Sequence, residues 1–578
     1  MFKNYQKLRS LLLREEKQKL LSFTVLLTLM SLIEIITLLI SFSILTILFG
    51  KSSVIPDKVP LEVFAQIETR NLVLILLGVA TLKITSITPI HIFEARLKTQ
   101  ISTRLSTKLY DYYLNLPYID FISLERAALA RNVQDVYLVV ERSIFPALAL
   151  ISESLFLFGL VIILFATAPT YSLVGVVSIA LVGLVLSKMN SSLSTSFGDT
   201  YNTFAKSCSI NTQEGLNLSA EVRMMNSYGY FVKKFNRSCH SKLKALFTKQ
   251  IFDNVSPHGL EFVLITGTSL TILLLESSGE LVSNNLQVLS IVLLGALRAI
   301  PSIGKLNASL QSMRFGAATF SDLTNELSAQ QIPPKSDFSE QELIVKNDIN
   351  FRSVSFGYPN MNGDLTLKDL TVSFRFGEIT AVVGANGAGK TSLINLLTGL
   401  FEPLSGDVLL GDSKISTKNR RWKNQIGFVP QELSLINTTI FENVVFGRNA
   451  TSDLESKVDN ALKAAGLCDL INGLSHGKHH LIGDNGNKLS GGERQKLGIA
   501  RAILLRPPVL IFDEISNFLD NLSINETIKI LESFRGQHTV ILVTHDKTIM
   551  QIADQIIDLD IYNSVHSKKA INNKTSTK

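Results

Sequence analysis

Cysteine is scarce and scattered in this chain: Cys208, Cys239 and Cys468 are its only three, and no two share a CxxC spacing. That pattern supports neither a zinc site nor a disulfide framework, and it reads as inert thiols in a reducing compartment. Charge is sparse as well, at 18% of residues against 46% apolar, a balance that a wholly soluble chain of 578 residues does not carry. The apolar excess lies before residue 305 and the remainder is an ordinary soluble mixture, so a membrane half is joined to a soluble half. With apolar spans present, the net charge of +7 marks a cytoplasmic face and anionic headgroups, and nucleic acid is not an expected partner.

What the chain does have is one glycine-rich stretch, Gly384-Ala-Asn-Gly-Ala-Gly-Lys-Thr391, between the apolar run Ile379–Val383 and the helix-compatible Ser392–Leu397. A strand entering such a turn, with a helix opening after it, aims several backbone N–H groups and the positive helix end at one point, which suits a phosphate chain. Gly384, Ala385, Asn386, Gly387, Ala388, Gly389 and Ser392 would form the cradle of a nucleotide-phosphate site; Lys390 would reach the β- and γ-phosphates and the Thr391 hydroxyl would hold Mg2+. A second apolar strand, Val509–Phe512, ends in Asp513-Glu514. There Asp513 can hold Mg2+ through water and Glu514 can polarise the attacking water. His545 follows Val540–Thr544 at a further strand tip, placed to contact the γ-phosphate. Leu489-Ser-Gly-Gly-Glu-Arg-Gln-Lys496 opens another helix and is a second anion-seeking terminus. One γ-phosphate clasped by both surfaces requires two copies of the chain, head to tail.

Before residue 305, six stretches approach the roughly 20 apolar residues that a bilayer needs: Ser22–Phe49, Asn71–Ile92, Phe145–Ala166, Tyr171–Met189, Leu260–Leu275 and Leu286–Ile303. The connections 93–144 and 190–259 are long and basic while the others are short, so the positive-inside rule sets both termini and the nucleotide site in the cytoplasm of a multi-pass inner (plasma) membrane protein. Glu34, Lys83 and Arg298 fall inside the spans, each about 18 Å deep by helical rise. Glu34, Lys83 and Arg298 are the candidates for lining a substrate cavity; Glu34 and Lys83 can instead pair across two helices, whereas Arg298 reads as facing the cavity. The expected division is an interfacial helix over 1–20, rather than a removable signal peptide, then an all-α membrane domain over 21–315 and a linker over 316–345. An α/β cassette over 346–562 and a disordered basic tail over 563–578 complete it. A cargo-processing peptidase domain is not expected ahead of the first span.

In this order the phosphate loop, Phe428-Val-Pro-Gln431, Leu489–Gln495, Asp513-Glu514, Leu519-Asp520 and His545 resemble the ATP-binding cassette (ABC) transporters, specifically exporter half-transporters. The resemblance covers nearly the whole chain. It implies six transmembrane helices of the exporter type followed by a P-loop NTPase cassette, working as a homodimer with ATP and Mg2+. It further implies that Tyr358 in Phe356-Gly-Tyr-Pro359 stacks on adenine and that Gln431 senses Mg2+. Ser490, Gly491 and Gly492 would bind the partner's γ-phosphate, and Asp520 would lie at the dimer seam. Short transverse helices near Asp120–Ala130 and Glu214–Asn226 would rest on the cassettes. The chain departs from the family at Asn517-Phe-Leu-Asp520, at Gly483-Asp-Asn-Gly486, and after Leu559, where the usual glycine-containing finish is missing. Leu109–Tyr118, Glu214–Phe235 and Leu297–Ile303 look like segments of bacterial flippases for lipid-linked oligosaccharides and polysaccharides. The implied activity is ATP-driven flipping of such a lipid by alternating access, with export of peptides, drugs or other lipids as the alternative. A soluble ABC ATPase, which would share the cassette but not six spans, and a nucleotide-gated channel or regulator, which would show conductance or partner control without vectorial transport, are the other classes weighed.

Overall fold

The computed structural model describes residues 11–48, 67–167, 194–277, 282–328, 347–359, 364–415, 420–448, 453–516 and 521–562. The chain divides into two compact units, Met1–Leu116 with Ser123–Pro334, and Pro117–Ile122 with Lys335–Lys578.

The first unit is helical. It contains α1 (Arg14–Leu48) and α2 (Thr69–Asn115); the short α3 (Tyr118–Phe121) that follows is assigned to the second unit. Next comes α4 (Arg126–Val139), which passes through a π-helical turn at Val140–Ile144 into α5 (Phe145–Thr167). Residues 194–217 form α6, followed by α7 (Ser219–Met224), α8 (Tyr228–Ser277), α9 (Val282–Phe315) and α10 (Ala317–Ser328). At 47 residues α2 is roughly 70 Å long and α8 is longer still, at 50, so both exceed the thickness of a bilayer. Three described helical segments are long and apolar enough to cross a membrane: Arg14–Ile44, Thr69–Asn115 and Arg126–Phe165. The expected spans Leu260–Leu275 and Leu286–Ile303 fall within α8 and α9, and Tyr171–Met189 lies outside the described residues.

One helix crosses the boundary expected at residue 20. α1 runs unbroken from Arg14, so residues 14–20 begin the first span's helix instead of forming a separate one. They are held there by Glu16, 1% exposed, which takes two hydrogen bonds from Arg104 of α2 at 2.6 and 2.7 Å. A buried carboxylate keeps its charge only with such a partner. Further along the same antiparallel pair, Lys83 meets Glu34 at 2.6 Å. α2 buries Leu97, Ile101, Leu105, Leu109 and Tyr113, one residue per helical turn. Where α6 crosses the end of α9, Gly198 is required: a Cβ there would sit 2.3 Å from the Phe315 carbonyl oxygen.

The second unit contains two sheets. Strands β1 (Ile349–Phe356), β2 (Leu367–Phe374), β4 (Ser405–Leu410) and β5 (Ser413–Lys414) form an antiparallel sheet in the order β2-β1-β4-β5. β3 (Ile379–Val383), β6 (Ile426–Val429), β7 (Val509–Asp513), β8 (Thr539–Val543) and β9 (Gln555–Asp558) form a parallel sheet in the order β6-β7-β8-β3-β9. Its central strands are nearly continuous apolar runs because both faces are covered. Leu510, Phe512, Val540 and Leu542 enter one core, while Val509, Ile511, Ile541 and Val543 enter the other. In this register Asp513 pairs with Val543 and Val543 with Val382. The carboxyl ends of three adjacent strands therefore open side by side, the position at which parallel sheets bind ligands.

Candidate nucleotide site

The phosphate loop leaves β3 and ends in the helix Lys390–Leu397. Gly389 caps that helix at φ +100°, and a Cβ there would also meet the Leu367 side chain at 2.6 Å, so only glycine fits. Ala385, Asn386 and Gly387 are exposed at the loop tip, whereas Lys390 is 9% exposed. Its ammonium donates to the Gly384 oxygen at 2.7 Å, to the Ala385 oxygen at 3.3 Å and to His545 Nε2 at 2.7 Å. The side chain at the tip of β8 is thus joined to the loop following β3. Thr391 is exposed; buried Ser392 donates its hydroxyl proton to the Tyr358 oxygen at 3.2 Å. The Tyr358 ring stands edge-on to Phe356 and Phe401, with centroids 5.3 and 5.8 Å away, which fixes it beside the loop's helix.

The acidic pair follows from β7. Glu514 has φ +48°, a left-handed conformation that costs energy in a non-glycine residue. Its N–H donates to the Val543 oxygen at 2.8 Å, which holds it there. One carboxylate oxygen accepts from Gln431 Nε2 at 2.6 Å and the other lies 3.9 Å from His545 Nε2. Asp513 is pushed up to about 6, by burial first and then by the neighbouring Glu514 charge, with Lys390 opposing. A carboxylate in that setting gains strongly from a cation, and the oxygen donors of Thr391, Gln431 and Asp513 are hard ligands of the kind Mg2+ takes.

Lys390, His545, Asp513, Glu514 and Gln431 are therefore brought together. Ser490, Gly491 and Gly492 stand on the separate helix Gly491–Ile503, in a capping box: Ser490 Oγ accepts from the Glu493 N–H at 3.3 Å, and Glu493 accepts from the Ser490 N–H at 2.7 Å. Asp520 lies outside the described residues. Sequence reading missed Asp560, whose carboxylate accepts the Ala385 N–H at 2.7 Å and so ties down the start of the phosphate loop. Its only signal was position, two residues beyond β9, the strand that flanks β3.

In the helical unit the Glu34–Lys83 pair is formed, each side chain about one quarter exposed. Arg298 is exposed on α9 and makes no ion pair among the described residues. Two helical turns further, on the same exposed stripe with Pro301, Lys305 reaches Glu153 of α5 at 3.0 Å.

The family model described as ABC transporter matches residues 367–517. The ATP-dependent lipid A-core flippase of Ralstonia nicotianae is 27% identical over 81% of this chain and 79% of its own length. The Beta-(1-->2)glucan export ATP-binding/permease protein NdvA of Agrobacterium vitis is 36% identical over 37% of this chain and 36% of its own. Among solved structures, a bacterial Atm1-family ABC exporter with ATP bound superposes with a TM-score of 0.74 at 17% identity, over 94% of both chains, and so shares the fold.

Proposed function

From the premise that this chain is an exporter-type ABC half-transporter, a multi-pass membrane protein that couples ATP hydrolysis to transport, we propose that it flips an anionic lipid-linked oligosaccharide or a related polysaccharide or lipid precursor. The observation that carries the substrate class is the likeness to lipid A-core flippases through four fifths of the chain, so that the membrane half shares in it. Arg298, exposed on α9 and without an ion pair among the described residues, supplies a positive charge for an anionic head. Export of a glucan is the second reading, favoured by the higher identity to the glucan exporter over its shorter match.

The working unit is a homodimer in the inner membrane, with the termini and the cassettes on the cytoplasmic side. Tyr358 stacks on adenine, and the 384–392 loop with Lys390 neutralises the phosphates. Thr391, Gln431 and Asp513 would hold Mg2+, whose charge would screen the phosphate oxygens. Glu514 polarises water, and His545, already bonded to Lys390, steadies the γ-phosphate. Ser490, Gly491 and Gly492 of each copy face the other copy's nucleotide, with Asp520 at the seam. Closure around ATP and release after hydrolysis then alternate the facing of the membrane half.

The test is ATP hydrolysis by the purified protein in liposomes, challenged with phosphate-bearing lipid-linked glycans, neutral lipids and peptides. The glycolipids are expected to stimulate selectively; stimulation by peptides alone overturns the substrate reading.

A further inference from the structure

Two pieces of chain lead out of the helical unit: α2 runs into Pro117–Ile122, which belongs to the cassette unit, and α10 leads towards the segment before the cassette. Polar contacts 213 and 120 positions apart in sequence join α10 to α2 and to α6. On α10, Glu326 accepts a hydrogen bond from the Tyr113 hydroxyl of α2. Asn132 of α4 donates to both, at 3.3 Å to the Tyr113 oxygen and at 3.3 and 3.5 Å to the Glu326 oxygens. One turn earlier on α10, Asp322 accepts from Asn202 of α6 at 3.1 Å. Arg131 of α4 completes the set: it donates to the Asn202 carbonyl at 3.1 Å and to its side-chain oxygen, and pairs with Asp135 at 2.9 Å.

These contacts do something that apolar packing does not. Phe320 and Leu323 bury α10 against the bundle, and apolar faces tolerate sliding; directional bonds at Asp322 and Glu326, spaced by one helical turn, fix the register. Tyr113 is 5% exposed and its hydroxyl donates to Glu326, whose carboxyl burial pushes above its ordinary pKa. Asp322 raises Glu326 further, while Tyr113, Asn132 and Lys206 favour its charged form.

We propose that the Tyr113–Asn132–Glu326 and Arg131–Asn202–Asp322 contacts form a latch that makes α2, α4, α6 and α10 move together, so that these side chains are positioning residues for passing cassette closure to the membrane half. The inference rests on the ATP-driven alternation proposed above. It is tested in full-length protein in liposomes, with Cys208, Cys239 and Cys468 replaced by serine and a single reporter, Leu297→Cys, on the exposed face of α9. A water-soluble maleimide reads the reporter with and without MgATP and vanadate. In the reference protein the nucleotide is expected to change the labelling rate by about tenfold. Tyr113→Phe and Glu326→Ala should each shrink that change by about threefold or more, with hydrolysis held within about twofold. The double variant should lose no more than the worse single one, Asp322→Asn should act in the same direction, and Glu326→Gln, which still accepts the phenol proton, should recover most of the response. A full response in both single variants overturns the latch, as do additive losses or hydrolysis falling in step with the response. A reference protein that does not respond at all overturns the alternation, and the latch with it.

Discussion

The two units handle charge in opposite ways. In the cassette, Asp513, Glu514, Lys390, His545 and Gln431 are crowded at the ends of adjacent strands, close enough that Asp513 is pushed up to about 6. In the helical unit, Glu16–Arg104, Glu34–Lys83 and Glu153–Lys305 are separate pairs, each joining two helices. Concentrated charge stores electrostatic energy that a phosphate and a cation can release, which is what a catalytic site requires. Dispersed pairs minimise the cost of burying charge and hold helices together, which is what a scaffold requires.

The largest effect expected from this contrast is at Glu514. Glu514→Gln keeps the shape and the Gln431 contact but cannot polarise water as a carboxylate does, so turnover should fall by about 10²- to 10⁴-fold. Nucleotide binding should persist, and the protein should be recovered as a closed, ATP-loaded pair. Measured turnover within a few-fold of the parent protein would move the base elsewhere in the cluster.

A scaffold pair should behave differently, with a loss that a second substitution restores. Glu34→Gln leaves Lys83 without its carboxylate. A lone charge at mid-bilayer costs about 2.5–3.5 kcal/mol. The expected loss of folded yield, scored by detergent extraction and thermal melting, should be recovered in Glu34→Gln/Lys83→Met. If the double variant is as poor as the single one, the charges have a role beyond neutralising each other.

The same contrast explains what could be read from the sequence. The cassette's reactive groups lie within a few residues of apolar strands, and a parallel sheet brings strand tips together, so the phosphate loop, Asp513-Glu514 and His545 were legible from local pattern alone. Asp560 was not, because a lone acid after a strand has no local signature. In the helical unit three long apolar helices and the Glu34–Lys83 pair were legible from length and depth. Contacts such as Tyr113 with Glu326, or the two thiols of Cys208 and Cys239, which meet across α6 and α8, depend on helix register over long separations. The helix that runs through the boundary expected at residue 20 was hidden for a related reason: Glu16 of α1 pairs with Arg104 of α2, 88 positions away, which packs this stretch against the next helix.

The cassette's crowding also carries a pH signature. With its pKa raised from an ordinary 3.8 to about 6, Asp513 holds a proton in the folded cassette that the unfolded chain releases. Between about pH 4 and 6 the free cassette therefore loses stability as pH rises. Binding of Mg2+ with nucleotide needs the charged form, so its affinity should fall by up to about tenfold per unit below pH 6. Calorimetric titration at pH 5, 6 and 7 measures this, and Asp513→Asn should bind weakly with little pH dependence.

The smallest expected effect is at the residue that breaks the scaffold's own rule. Arg298, in the span expected at Leu286–Ile303, makes no ion pair among the described residues. Left unpaired, it either faces a wet cavity or draws its counter-charge from what is carried. Arg298→Ala should lower flipping of a labelled lipid-linked sugar several-fold and shift lipid-stimulated hydrolysis to higher lipid concentration, while Arg298→Lys, which keeps the charge, should retain most of both. Equal loss in the two variants would mean that the guanidinium's shape matters more than its charge. Unchanged flipping in Arg298→Ala would remove the arginine from the transport path and leave the membrane half's charges wholly structural.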